Sequence, residues 1–218
     1  MKKGRKLRKH NVIIGLLLSD FRTIHNIISE TRRRDIEVLS VSSLADLPLN
    51  AKVIITSKKD DPKLPIPVLF VEDLPSYKAL VDRAYEIAFG KVRPKFVTVS
   101  IDPGEKRTGC AFFAEDVLLR TSTYSDRQSL LDDISDFFNA HQDCKKYVII
   151  GKGAGDFSHA LEKDISERFL GTGQVEIMTV SENSSSRRNV FISTHPSDES
   201  AALMLFVKTR GKLILSGR

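Results

Sequence analysis

Cysteine is scarce in this chain of 218 residues. Cys110 and Cys144 are the only two, and they make neither a disulfide framework nor the paired spacing of a zinc site. A reducing, cytoplasmic setting is therefore expected. Long apolar runs are missing as well. No stretch approaches the roughly 20 residues that cross a bilayer, so no membrane partner is expected. Val12 to Leu18 lies behind a basic segment, yet it is short, runs into Ser19-Asp20 and lacks a small-residue cleavage site. It reads as a buried strand rather than the centre of a signal peptide. The two halves share no internal repeat. Neither a P-loop nor a dinucleotide fingerprint occurs. Gly151-Lys152-Gly153-Ala154-Gly155 follows a strand and precedes a helix, a phosphate-cradling context without either spacing. It reads as a flexible active-site loop in which Lys152 touches a backbone phosphate.

What the chain does hold is the make-up of a globular protein, with 41% hydrophobic and 28% charged residues. Its length suits one large domain or two small ones. The net charge of +6 is unevenly spread. Residues 1–95 carry 19 Lys+Arg against 11 Asp+Glu, and residues 96–218 carry 15 against 17. Six of the basic side chains, Lys2, Lys3, Arg5, Lys6, Arg8 and Lys9, fall in the first ten residues. Residues 1–10 read as a basic disordered arm. Such an arm can neutralise phosphates without reading bases, and a solubilising tail has the same composition.

Hydrophobic periodicity divides the rest into two α/β layers. Strands are expected at 11–19, 36–41, 53–56 and 68–71, with helices at 20–35 and 74–89. This is a small Rossmann-like α/β domain, 11–92, with a parallel sheet. It is similar in outline to a receiver domain. Asp20 follows its first strand, but no acidic pair and no Asp at the end of Val53-Ile54-Ile55-Thr56 complete such a site. The polar, Pro-bearing segment Gly90 to Lys95 marks the boundary. The second domain, 95–215, is expected to run as strands 96–102, 109–115 and 117–124, a helix to about 141, a strand 147–150, a helix 157–170, a strand 175–180 and a helix 198–209. Three antiparallel strands followed by βα units, βββαβαβα, is the ribonuclease-H-like arrangement with a mixed sheet.

The chemistry concentrates in the second half. Val97 to Ile101 is an apolar strand that ends in Asp102, a Pro103-Gly104 turn and a second apolar strand from Gly109. A carboxylate there points into the crevice at the strand ends of an α/β sheet. Glu182 follows the fifth strand and Asp198 opens the last helix. Three carboxylates at strand and helix ends converge on one rim of the sheet. Converging carboxylate oxygens suit Mg²⁺ or Mn²⁺, and two such ions can drive phosphodiester hydrolysis. A plain helix-capping role explains Asp198 equally well.

Over about residues 96–212 the chain resembles the YqgF/RuvX family of RuvC-like nucleases. Four elements carry the resemblance, in order. They are Asp102-Pro103-Gly104 with Gly109, Val148-Ile149-Ile150-Gly151, Ser181-Glu182-Asn183 after an apolar strand, and Asp198-Glu199-Ser200-Ala201-Ala202. The resemblance implies an RNase H-like fold with Asp102, Glu182 and Asp198 as catalytic and metal-binding carboxylates. It departs at three places. Ser181 and Asn183 replace the Asp and Arg that flank the family's glutamate, and Lys152-Gly153 stands where Leu-Pro is usual. Loss of that Arg removes a phosphate clamp, for which Arg187 or Arg188 can substitute. The implied function is a metal-dependent nuclease acting on structured DNA or RNA, of the Holliday-junction-resolving or pre-rRNA-processing kind. The alternative is a nucleic-acid-binding or assembly protein that kept the fold and lost turnover. A homodimer is among the assemblies this reading allows. A sugar-kinase or actin-like ATPase ranks last, because that fold needs a second phosphate loop and a second matching domain and neither appears in these 218 residues.

Overall fold

Two compact units, Met1–Gly90 and Lys91–Arg218, make up the molecule. The structure, a computed structural model, describes residues 13–34, 36–60, 65–152, 156–169, 175–181 and 197–216. The basic arm read at 1–10 lies outside them.

The first unit begins with β1 (Ile13–Leu17), whose Ile14 and Leu16 are fully buried. Asp20 then caps α1 (Phe21–Arg32), its carboxylate accepting from the Arg22 and Thr23 amides at 3.2 and 3.1 Å. Strands β2 (Glu37–Ser40), β3 (Ala51–Thr56) and β4 (Val68–Phe70) follow, then α2 (Tyr77–Ala88). The sheet runs β2-β1-β3-β4 and every pairing is parallel, in keeping with the apolar runs of its two central strands, β1 and β3. Its core joins Ile14, Leu16, Val53 and Ile55 to Ile27 of α1 and Leu80, Val81 and Ala84 of α2. Helix α2 starts three residues later than the apolar pattern suggests. Leu74 precedes Pro75 and is held extended, and Ser76 supplies the cap by accepting from the Ala79 amide at 3.3 Å. Two residues past its end, Gly90 has a φ of 81°, the left-handed turn that stops a helix.

The second unit comprises β5 (Phe96–Asp102), β6 (Thr108–Ala114), β7 (Val117–Tyr124), α3 (Arg127–Asn139), β8 (Lys145–Lys152), α4 (Asp156–Phe169), β9 (Val175–Ser181) and α5 (Ser197–Ser216). Its sheet runs β7-β6-β5-β8-β9. The β5-β6-β7 meander is antiparallel, while β8 and β9 extend the sheet parallel to β5. This is the ribonuclease-H-like order and direction of strands. Successive residues on a strand face opposite sides, and the phenylalanine pair in β6 displays it. Phe113 stacks on Phe206 of α5 at 3.6 Å between ring centroids, and Phe112 meets Phe137 of α3 edge-on at 5.2 Å. Helix α4 joins α3 on the same side through Phe138 and Phe169. Helix α5 runs seven residues past Thr209, because a lone Gly211 lowers helix propensity by about 1 kcal/mol without breaking the hydrogen-bond ladder.

Cys110 is fully buried in β6, and burial pushes its thiol well above the usual range. Cys144 is partly exposed. One thiol is therefore expected to react with Ellman's reagent in the native protein and two in denaturant. Two fast-reacting thiols in the native state would contradict the burial of β6. No helix among the described residues is long and apolar enough to cross a membrane.

Candidate active site

Strand β5 lies at the centre of its sheet, and all its residues but the last are buried. Asp102 is that last residue, partly exposed where the strand turns. The turn is tight. A Cβ added to Gly104 would lie 2.4 Å from the Arg107 carbonyl oxygen, so only glycine fits without moving backbone. The hairpin closes with Asp102 opposite Gly109 on β6, and Gly109 in turn opposite Thr123 on β7. Gly109 places no side chain between them.

Alternation puts Asp102 on the α5 side of the sheet. Ser100, two residues back, donates its hydroxyl to the Ala202 carbonyl of α5 at 2.7 Å. On β7 the Thr121 and Thr123 hydroxyls donate to the two carboxylate oxygens of Glu199 at 2.5 and 3.1 Å. The first turn of α5 is thereby tied to the edge of the sheet that carries Asp102.

Strands β8 and β9 run parallel to β5, so they end at the same edge. Lys152 ends β8 and is exposed, and it is in register with Ser181, the end of β9. The sequence suggested a loop at Lys152. The structure gives it a strand position instead, because the β8–β9 ladder continues one residue past Gly151. Tyr147 and Ile149 face α5, so Lys152 has the parity of the opposite face, away from that of Asp102.

Of the residues singled out in the sequence, Asp102 and Lys152 are described in full. Asp198 lies in the first turn of α5, and its side chain is outside the described residues. Glu182, Arg187 and Arg188 lie outside them too, as do Lys2, Lys3, Arg5, Lys6, Arg8 and Lys9. Among the described residues no three His, Cys, Asp or Glu side chains gather as a metal cluster. Glu199, Thr121 and Thr123 escaped the sequence reading. Their only local sign is a Thr-x-Thr alternation on β7, which is ordinary strand composition.

In the first unit, the edge at the ends of β1 and β3 is occupied by structural hydrogen bonds. Asp20 caps α1 and accepts from the Thr23 hydroxyl at 2.5 Å. Thr56, fully buried at the end of β3, donates to the Leu17 carbonyl at 2.8 Å. Ser57 donates to Glu72 at 2.7 Å.

A family model for the response regulator receiver-like domain matches residues 13–88. It covers the first unit and none of the second. No curated protein matches the chain. The Thermus thermophilus RuvC structure is similar at 10% identity and a TM-score of 0.39, over 52% of this chain and 96% of that one. T. thermophilus RuvC in complex with Holliday junction substrate gives 10% identity and a TM-score of 0.40 over the same shares. At these values the likeness decides nothing about chemistry, and the fold rests on the strand order and directions above.

Proposed function

We propose that the second unit is a divalent-metal-dependent nuclease that hydrolyses phosphodiester bonds in structured nucleic acid. The observation that carries this reading is Asp102 at the end of the central strand, on the sheet face and edge to which the first turn of α5 is bound. That turn contains Asp198, and β9 ends one residue before Glu182. Asp102, Glu182 and Asp198 are proposed as the metal-holding carboxylates.

The donor chemistry fits Mg²⁺ or Mn²⁺. The three groups offer only hard carboxylate oxygens. A bound ion would supply charge neutralisation and an acidified water. The chain's own part is positional. Asp102 holds its carboxylate at a rigid strand end. Lys152, Arg187 and Arg188 are proposed to meet backbone phosphates, as is the arm at 1–10, which contributes charge without sequence preference. A cytoplasmic location belongs to the same reading.

The test is cleavage of Holliday junctions, flaps and structured RNA by the full chain, with Mn²⁺ and with chelator. Metal-dependent cutting of at least one substrate is expected. Binding without cutting would instead favour the binding-protein reading, in which Ser181 and Asn183 mark lost turnover. The arm has its own expected result. A chain starting at Asn11 should bind more weakly, with a salt slope smaller by up to roughly 5, given six cations. Equal affinities at two salt concentrations would show that the arm takes no part.

A further inference from the structure

The first two turns of α5 are fastened to the sheet at two points, and neither belongs to the carboxylate set read from the sequence. On β5, Ser100 holds the Ala202 carbonyl from a position two residues before Asp102. On β7, Thr121 and Thr123 hold both oxygens of Glu199. Glu199 directly follows Asp198, and Ala202 lies about one helical turn beyond it. The first point sets how far along β5 the helix sits. The second sets its rotation and its distance from β7. A helix is stiff over one turn, so two fixed points determine where the residue beside them lies. The backbone of Asp198 is therefore placed relative to Asp102 by side chains that belong to neither.

We propose that Glu199 is a positioning residue: held by Thr121 and Thr123, it sets Asp198 against Asp102 and so tunes the divalent-ion affinity of the site. This rests on the metal-site reading above. Groups that orient metal ligands are worth about 10–100-fold in affinity when removed.

The experiment titrates Mn²⁺ alone into the full chain and reads free Mn²⁺ by electron paramagnetic resonance. The metal-free melting temperature is recorded on the same samples. The Thr121→Val/Thr123→Val pair and Glu199→Gln should each weaken Mn²⁺ binding about tenfold or more. The Thr121→Ser/Thr123→Ser pair keeps both hydroxyls and should bind Mn²⁺ as the parent does. Should the valine pair fail to fold, Glu199→Gln, which changes one atom, carries the test. Asp102→Asn is the control on the underlying reading. If it weakens Mn²⁺ binding while the valine pair and Glu199→Gln lower only the melting temperature, the fastening is purely structural and the proposal is overturned. If Asp102→Asn leaves Mn²⁺ binding unchanged, the metal-site reading itself falls.

Discussion

Asp102→Asn is expected to lower Mn²⁺-dependent cleavage by about a thousandfold or more, leaving fold and nucleic-acid binding nearly intact. Asparagine keeps the shape of the side chain and one of its acceptors, and removes the charge that would balance a divalent ion. Electrostatic stabilisation of that kind is worth several kcal/mol, and each 1.36 kcal/mol is tenfold in rate. The fold should survive because Asp102 is the one residue of β5 outside the buried row. Binding should survive because the phosphate contacts proposed above come from basic groups. Asp198→Asn should cost a similar factor, and the double variant little more, since groups acting on one centre are not additive. Single-turnover cleavage, gel-shift binding and circular dichroism measured together check this. Equal cleavage by wild type and Asp102→Asn would remove Asp102 from the chemistry.

Asp133→Ala should destabilise the second unit by about 3–5 kcal/mol. Asp133 is buried on α3 and receives both Arg120 guanidinium nitrogens at 2.9 Å, as well as the Tyr124 hydroxyl. The same guanidinium lies 3.5 Å over the Phe112 ring, which itself meets Phe137. Removing the carboxylate leaves a cation in an apolar setting and a tyrosine hydroxyl without this acceptor. Burial already holds the Tyr124 phenol above its usual range. Replacing both members, as in Arg120→Met with Asp133→Leu, should restore much of the loss, because two desolvated charges vanish together. Calorimetry of the full chain should show one transition lowered by roughly 10 °C or more in Asp133→Ala. An unshifted transition would mean that the pair is hydrated in solution.

The elements of both units were legible in the sequence because they rest on local physics. Apolar runs marked β1, β5 and β8. The apolar faces at helical spacing marked α1 and α3, and Asp20 and Asp126 sit as their caps. The Pro103-Gly104 turn marked the β5–β6 hairpin, and the space beside Gly104 shows why glycine is needed there. Misreadings fell where a local signal was weak. The apolar pattern placed the start of α2 at Leu74, although Pro75 disfavours a helical Leu74, which is extended. The glycines around Lys152 suggested a loop, although pairing with β9 continues through it.

The sequence by itself determined that two α/β layers would form, and that Asp102 would end a strand beside a glycine-bearing turn. It also determined that the second layer would begin as a meander and continue as βα units. Periodicity, capping and turn chemistry act over a few residues and leave their mark in order along the chain. Only the tertiary structure decided that Glu199, rather than a neighbour of Asp102 in sequence, is bound at the same edge of the sheet. Thr121 and Glu199 are 78 positions apart, and nothing in either segment announces the other. Their meeting depends on the register of three strands and the seating of a helix across them. That register is set by the burial of Phe113, Ala111 and Phe206 as one group, a property of the assembled sheet.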